Sequence, residues 1–298
     1  MIEFWLPGWV KTILSKYSDL QKITEADFDN LKNRLKKFNV VNPLASIVIP
    51  AWNEEENITI AIASLAFNEF DFPCELLVVN NNSTDQTQMI LDKLGVRSIL
   101  ETTQGTAHAR QRGLIESKGK YHLCCDSDTI YPSTWIKSMV ETLKKNEKQG
   151  VACVSGSYSF FPSERKSRFS YAIYELGTYM VRLFKSKNTD FIRVLGFNFG
   201  FIREVGIQVN GFQMEKSRKF RNLLGSTDYV AAAEDGLMAL NIKKSGYKLL
   251  LKNNLKSRVW TSDRRILIDG GLYRAVKLRL LKIFNQKSFY KKATSGLT

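Results

Sequence analysis

The chain has 298 residues, 44% of them hydrophobic, enough for one large core or two smaller ones. No apolar run reaches the roughly 18 residues that cross a bilayer, and no repeat or low-complexity tract occurs. The net charge of +15 is uneven: residues 241–298 hold fifteen Lys and Arg against two acids, Asp263 and Asp269, a net of +13. Such a basic tail suits anionic lipid, nucleic acid or phosphorylated substrates.

The start, "MIEFWLPGWVKTIL", has an early Glu3, a Pro7-Gly8 break and no basic leader, so it is not expected to act as a signal peptide. Residues 1–43 read as a helical N-terminal extension, with Thr24 three residues before Asp27 as an N-cap pattern in "TEADFDNLKNRLKKF". From residue 45 strands and helices alternate. "ASIVIPAW", "CELLVVN", "VRSILET" and "GKYHLCCDSD" are short apolar strands. Between and after them "ENITIAIASLAF", "STDQTQMILDKLG", "GTAHARQRGLIES" and "PSTWIKSMVETLKK" have helical spacing, with Ser83, Thr84 or Asp85 as a cap and Pro132 in a first turn. This order predicts an α/β fold with a mostly parallel central sheet flanked by helices.

Beyond about residue 150 the pattern is less regular. "ERKSRFSYAIYELGTYMVRLFK" reads as a helix with an aromatic face and "VLGFNFGFIRE" as a strand. Residues 213–230 are expected to form a mobile loop. "AEDGLMALNIKKSG" is a helix with two acids in its first turn and Gly246 at its end. "YKLLLK" follows as a strand. "GGLYRAVKLRLLKIF" is a basic amphipathic helix within a tail of residues 263–298. The four cysteines form no C-x-x-C pair, and three sit in strand-like runs, as free buried thiols would.

Parallel sheets place ligands at the carboxyl ends of their strands, and the polar clusters fall there: "PAWNEEEN", "NNNSTD" and "DSDT". Asp126 and Asp128 lie at i and i+2, so both carboxylates share a face. That suits Mg²⁺ or Mn²⁺, which binds through one or two carboxylates plus substrate phosphates, although a bare D-x-D is far more often a turn. Asn81 has an amide able to bond a base edge, or to cap a turn. Glu234 and Asp235 at a helix start are stabilised as anions, which serves a general base equally well. Arg264 and Arg265 in "TSDRR" could grip phosphate oxygens, or form a solvated basic surface.

Six segments in order, "SIVIPAWNEEENI", "LLVVNNNSTDQT", "GTAHARQRGL", "GKYHLCCDSDT", "GFNFGFIREVGIQVNGF" and "AEDGLMALNIKKSGYKLLL", resemble family 2 glycosyltransferases of the GT-A fold. The likeness covers roughly residues 45–262. It implies a catalytic domain at 44–262, with a nucleotide-binding half at 44–130 and an acceptor half at 131–262. It implies inverting transfer of a sugar from a nucleotide-diphosphate donor, a UDP-sugar being favoured. The acceptor would be a hydroxyl of a glycan or lipid-linked saccharide, in cell-envelope synthesis. Pro50, Ala51, Asn53, Glu54 and Asn81 then fall where the family lines the base, and Arg110 where it often binds donor. Asp126 faces the ribose and metal, Asp128 binds the metal, Asp235 is the catalytic base beside Glu234, and Gly196 and Asn198 lie on the acceptor side. Arg264 or Arg265 would assist the departing diphosphate.

The chain departs from the family at Asn80 and Asn81, where acids are common. It also lacks the C-terminal histidine that often joins the metal, since the only histidines are His108 and His122; Asp263 is the available substitute. The stretch between Phe212 and Glu234 is long for the family. The expected location is cytoplasmic, with peripheral contact at the inner face of an anionic membrane through the basic tail. The competing reading is a catalytically inactive nucleotide-sugar-binding protein, against which the intact Asp126, Asp128 and Asp235 stand. The basic residues match no nucleic-acid-binding motif, and no G-x-G-x-x-G follows the first strand, so no nucleic-acid partner and no dehydrogenase activity are expected.

Overall fold

The computed structural model describes residues 3–162, 167–183, 191, 194–213, 234–268 and 270–277. Its centre is a seven-stranded sheet in the order β3-β2-β1-β4-β8-β6-β9. The strands are β1 (Ala45–Ala51), β2 (Cys74–Asn80), β3 (Arg97–Leu100), β4 (Tyr121–Cys124), β6 (Val151–Ser155), β8 (Phe199–Ile202) and β9 (Lys248–Leu251). β1, β2, β3 and β4 pair in parallel, and β8 runs antiparallel between β4 and β6. A second sheet of three short strands, β5 (Thr129–Ile130), β10 (Val259–Ser262) and β7 (Tyr158–Phe161), stands beside it with β10 in the middle.

β1 and β2 are buried at every residue, which is why their sequences are continuously apolar rather than alternating. The helix α3 (Ile58–Ala66) is buried on all sides because α1 (Gly8–Tyr17) and α2 (Glu25–Leu35) cover it from outside. α2 begins with a reciprocal capping box, the Thr24 hydroxyl accepting from the Asp27 N–H and the Asp27 carboxylate from the Thr24 N–H. The N-terminal helices are therefore part of the domain's packing, not an appendage. Val10, Ile13, Tyr17, Phe28, Leu31 and Leu35 enter the same core as β1 and β2, each contributing about 1.5–3 kcal/mol by burial.

The remaining helices are α4 (Thr87–Leu94), α5 (Thr106–Glu116), α6 (Trp135–Asn146), α7 (Arg168–Leu183), α8 (Arg203–Gln208), α9 (Glu234–Lys244) and α10 (Arg264–Ile268). α4 starts later than expected, after Gln86. Asp85 instead binds the Thr87 N–H and hydroxyl as a turn, so none of Ser83, Thr84 or Asp85 is its cap. α9 ends at Gly246, whose φ of 88° is open to glycine at little cost. Residues 263–268 and 270–277 pack on the domain rather than trail from it, because Ile266 and Ala275 are buried with Tyr171 and Tyr174 of α7. The expectations for residues 214–230 and for the tail past residue 277 lie outside the described residues. All four cysteines are buried and none forms a disulfide. Among the described residues no helix is long and apolar enough to cross a membrane.

The strand order fixes the site. From β1 the chain moves outward to β2 and β3, then returns to β4 on the other side of β1. β1 and β4 are thus the switch point of the sheet, beyond whose carboxyl ends α/β sheets characteristically hold their ligands. Val48 pairs with Cys124, so the "WNEE" and "CDSD" loops leave the sheet side by side.

Candidate active site

The loop after β1 is tied to the loop after β2. Asn53 sits in the left-handed region at φ 51°, which asparagine tolerates better than most residues. Its side chain accepts the Thr84 N–H at 2.8 Å while its own N–H donates to the Ser83 hydroxyl at 3.0 Å. The Glu54 N–H donates to the Thr87 hydroxyl. Pro50 and Ala51 are buried in β1, so they shape the crevice wall from within the sheet.

Glu54 turns its carboxylate onto Arg264, 210 residues away, in a forked contact of 2.7 and 3.0 Å. The same Arg264 Nη2 lies 3.2 Å from Asp128 Oδ2. One guanidinium nitrogen therefore sits between two carboxylates from different loops. Burial pushes Asp128 up to about 7, Arg264 opposing the shift and Glu54 and Asp126 reinforcing it. Arg265 follows on α10, half-buried. Asp263 does not join this group: it is fully buried and accepts the Tyr171 hydroxyl.

A second arginine organises the other side. Arg110 of α5 is 97% buried, meets Asp126 at 2.6 Å and Glu234 at 3.5 Å, and leaves Nη1 without a hydrogen-bond partner. Burial works against its charge, but Asp126, Cys124, Glu234 and Asp235 outweigh it and hold its pKa above the ordinary value. Asp235 opens α9 half-buried. Its Oδ2 accepts the Gly196 N–H at 2.6 Å and its Oδ1 the Gly236 N–H at 2.8 Å. A Cβ at Gly196 would lie 2.8 Å from Arg110 Nη2 and 3.2 Å from Asp235 Oδ2, so this position has to be glycine for the two groups to come together. Tyr131, not singled out in the sequence, accepts the Asp126 N–H and donates to the Phe197 carbonyl, fixing the acidic loop against the segment that leads into β8; nothing in its sequence context separates it from other core aromatics.

Two expected contacts are reassigned. Asn81 is fully buried, its Nδ2 donating to the Glu101 and Thr103 carbonyls and its Oδ1 accepting the Gly105 N–H. It builds the turn before α5 rather than offering a free amide to a base. Asn198 is likewise fully buried, accepting from the Trp135 indole and donating to the Ser157 and Ser257 carbonyls. It ties three segments together behind the site instead of facing an acceptor. Among the described residues no set of three or more His, Cys, Asp or Glu side chains could hold a metal unaided.

Acids gathered on the buried Arg110 and the partly exposed Arg264, at the switch point of a mostly parallel sheet, have the layout of an α/β nucleotide-binding protein. Residues 46–208, more than half of the chain, match the family described as Glycosyl transferase family 2, and the chain belongs to that family. An uncharacterized glycosyltransferase of Haemophilus influenzae is 22% identical over 263 residues, covering 84% of this chain and 99% of that one. The chain spans only 38% and 34% of the length of two other curated relatives it matches. The fold is shared with Staphylococcus aureus TarS 1-349, solved with UDP-GlcNAc, at TM-score 0.52 and 19% identity over 73% of this chain and 58% of that one. It is shared also with the mannosyltransferase PcManGT of Pyrobaculum calidifontis, solved with GDP-Man and Mn²⁺, at TM-score 0.51 and 19% identity over 78% and 62%. The chain thus has the GT-A fold expected from its sequence.

Proposed function

We propose that the protein transfers a sugar, with inversion, from a nucleotide-diphosphate donor, a UDP-sugar being favoured, to a hydroxyl of a glycan or lipid-linked acceptor in envelope polysaccharide or glycolipid synthesis. The observation that carries this reading is the Asp235 carboxylate, fixed by two backbone N–H groups at the start of α9, beside Glu234, which Arg110 joins to the Asp126 loop. A general base needs that combination of fixed orientation and anionic state.

The acceptor hydroxyl gives its proton to Asp235 as its oxygen bonds the anomeric carbon. The bond to the nucleoside diphosphate breaks with its electron pair leaving on the phosphate oxygen. Arg110, with a buried N–H to spare, and Arg264, on the opposite wall, bind the phosphate oxygens. Glu234 steadies Arg110. Attack from the Asp235 side and departure toward Arg264 on the opposite wall fit inversion.

A divalent ion fits the donor set. Arg264 Nη2 already stands as a cation between Asp128 and Glu54, and hard carboxylate oxygens with diphosphate oxygens are what Mg²⁺ and Mn²⁺ take. Asp128, with Glu54 opposite, would hold the ion, which when bound supplies positive charge against the departing diphosphate. The Mn²⁺ in the PcManGT structure supports this choice.

The test is thermal unfolding with a panel of nucleotide sugars, with and without Mn²⁺, alongside turnover by Asp235→Asn. A UDP-sugar should raise Tm, more so with Mn²⁺. The variant should keep that rise and lose turnover by about 10²–10⁴-fold. No stabilisation by any nucleotide, or full turnover by the variant, would sink the reading.

A further inference from the structure

A surface helix normally hides its single apolar stripe, yet α7 carries two. One, Tyr171 and Tyr174, is buried against Phe160, Ile266 and Ala275. The other, Phe169, Ile173 and Leu176, follows the i, i+4, i+7 spacing of one helix face and is exposed along its length. The Phe169 ring meets Phe4 at 5.7 Å, which extends this face to the N-terminal segment, where Trp5 is 78% exposed and Trp9 opens α1. Beside α7, the helical segment 272–277 packs Leu272 and Ala275 inward and leaves Tyr273 86% exposed, with Val276, Arg274 and Lys277 also outside. The other large exposed apolar side chains among the described residues, such as Val41, Met89 and Leu100, stand singly on separate elements. Isolated apolar side chains are normal on a surface, whereas a clustered aromatic face marks an interaction site.

We propose that this face docks on an anionic lipid bilayer, with the Phe169–Ile173–Leu176 stripe, Phe4, Trp5 and Tyr273 entering the interfacial layer. The chemistry selects a bilayer over a second copy of the chain. Trp and Tyr with flanking Arg and Lys are the side chains that settle at a membrane–water boundary. From residue 270 onward the chain carries seven basic side chains and no acid, so charge complements anionic headgroups and opposes self-association. The face is linked to the site through α7: Tyr171, on the buried side of that helix, binds Asp263, the neighbour of Arg264. Docking would bring the crevice to the bilayer surface, where a lipid-linked acceptor presents its sugar. That link to the acceptor rests on the function proposed above; the docking itself does not.

The experiment is flotation of the full chain with vesicles of phosphatidylcholine alone and with about a third phosphatidylglycerol, for the wild type and for Phe169→Ser/Ile173→Ser/Leu176→Ser. Met89→Ser/Leu100→Ser serves as the scattered-residue control. The expected result is binding to the anionic vesicles, weakened at least about tenfold in the α7 variant and unchanged in the control. Nucleotide-sugar stabilisation, measured without lipid, should be the same in all three, which separates failure of docking from failure of the donor reading. If the α7 variant does not fold, quenching of tryptophan fluorescence by brominated lipid in the wild type, reduced in Trp5→Phe, supports docking, and no quenching overturns it. No vesicle binding by the wild type overturns the proposal. Equal binding by the α7 variant overturns it by assigning attachment to the tail charge alone. A wild-type dimer that ignores vesicles and becomes monomeric in the variant overturns it in favour of a second copy.

Discussion

The His122 ring stands inside the sheet, 1% exposed, with Nδ1 3.0 Å from the Ser117 hydroxyl and its face stacked on Phe201 at 4.9 Å. Burial pulls its pKa down to about 3, and the positive charges of Arg203 and Arg110 push the same way. In the unfolded chain the ring returns to about 6.5. Between those values the unfolded chain takes up a proton that the folded one refuses, so stability is present above pH 6.5 and drains away on acidification. At about pH 5 the loss works out at roughly 2 kcal/mol, set by the unfolded value alone because the folded ring is still neutral there. Asp128 runs the opposite way. Its raised pKa, about 7, makes the folded carboxyl take up a proton first, which stabilises the fold as pH falls and masks part of the histidine loss. The quantity to measure is therefore a double difference: urea unfolding, followed by tryptophan fluorescence, of the wild type and His122→Gln at about pH 7.5 and about pH 5. The wild type should lose roughly 2 kcal/mol more than the variant between the two conditions. Equal losses would refute the assignment of acid sensitivity to this ring.

Arg264→Met leaves Glu54 and Asp128 facing each other without their shared cation. Arg264 is about a third exposed, so a cost of roughly 1–2 kcal/mol is expected at pH 8, shrinking as Asp128 protonates below about 7, and thermal scans across pH that show a constant or absent cost would contradict the bridge. Gly196→Ala pushes a methyl toward Arg110 and Asp235; turnover should fall at least about tenfold with the fold retained by circular dichroism, and normal turnover would mean that the Gly196–Asp235 contact is dispensable. Asn81→Asp replaces two donated hydrogen bonds by a carboxylate facing two carbonyl oxygens in a buried turn. A loss of about 2 kcal/mol or more in urea unfolding is expected, and a variant as stable as the wild type would show that the amide is not needed there.

The parallel strands were legible because complete burial leaves an unbroken apolar, β-branched run, as in "ASIVIPA" and "CELLVVN". β6 and β7 were not singled out: they are four or five residues long, and their place in two different sheets is decided by partners far along the chain. The site residues divide in the same manner. The sequence supplies the chemical type of Asn81 and Asn198, and both types suit a ligand. What each amide does depends on carbonyls 20 to 59 residues distant, and those carbonyls consume it. Arg264 was legible as a phosphate gripper but not as the partner of Glu54, because the contact spans 210 residues and neither local pattern anticipates it. Asp263, next to it, is instead bound to Tyr171 of α7.

The charge count of the site constrains how a donor can enter. Glu54, Asp126, Asp128, Glu234 and Asp235 supply five carboxylates, and Arg110 and Arg264 supply two guanidiniums already shared among them. A bare diphosphate would compete with those acids for the same two cations and add its own negative charge to a surplus of acids. Two changes relieve this. Protonation of Asp128, poised near neutrality by burial and by Glu54, removes one charge. A divalent ion held by Asp128 and Glu54 would add two positive charges and leave Arg264 available to the phosphates. The acids of the crevice therefore act less as a donor-binding surface than as a demand for added cation. On the proposed reading this imbalance would make donor binding depend on a divalent ion, an argument separate from the likeness to enzymes seen with Mn²⁺.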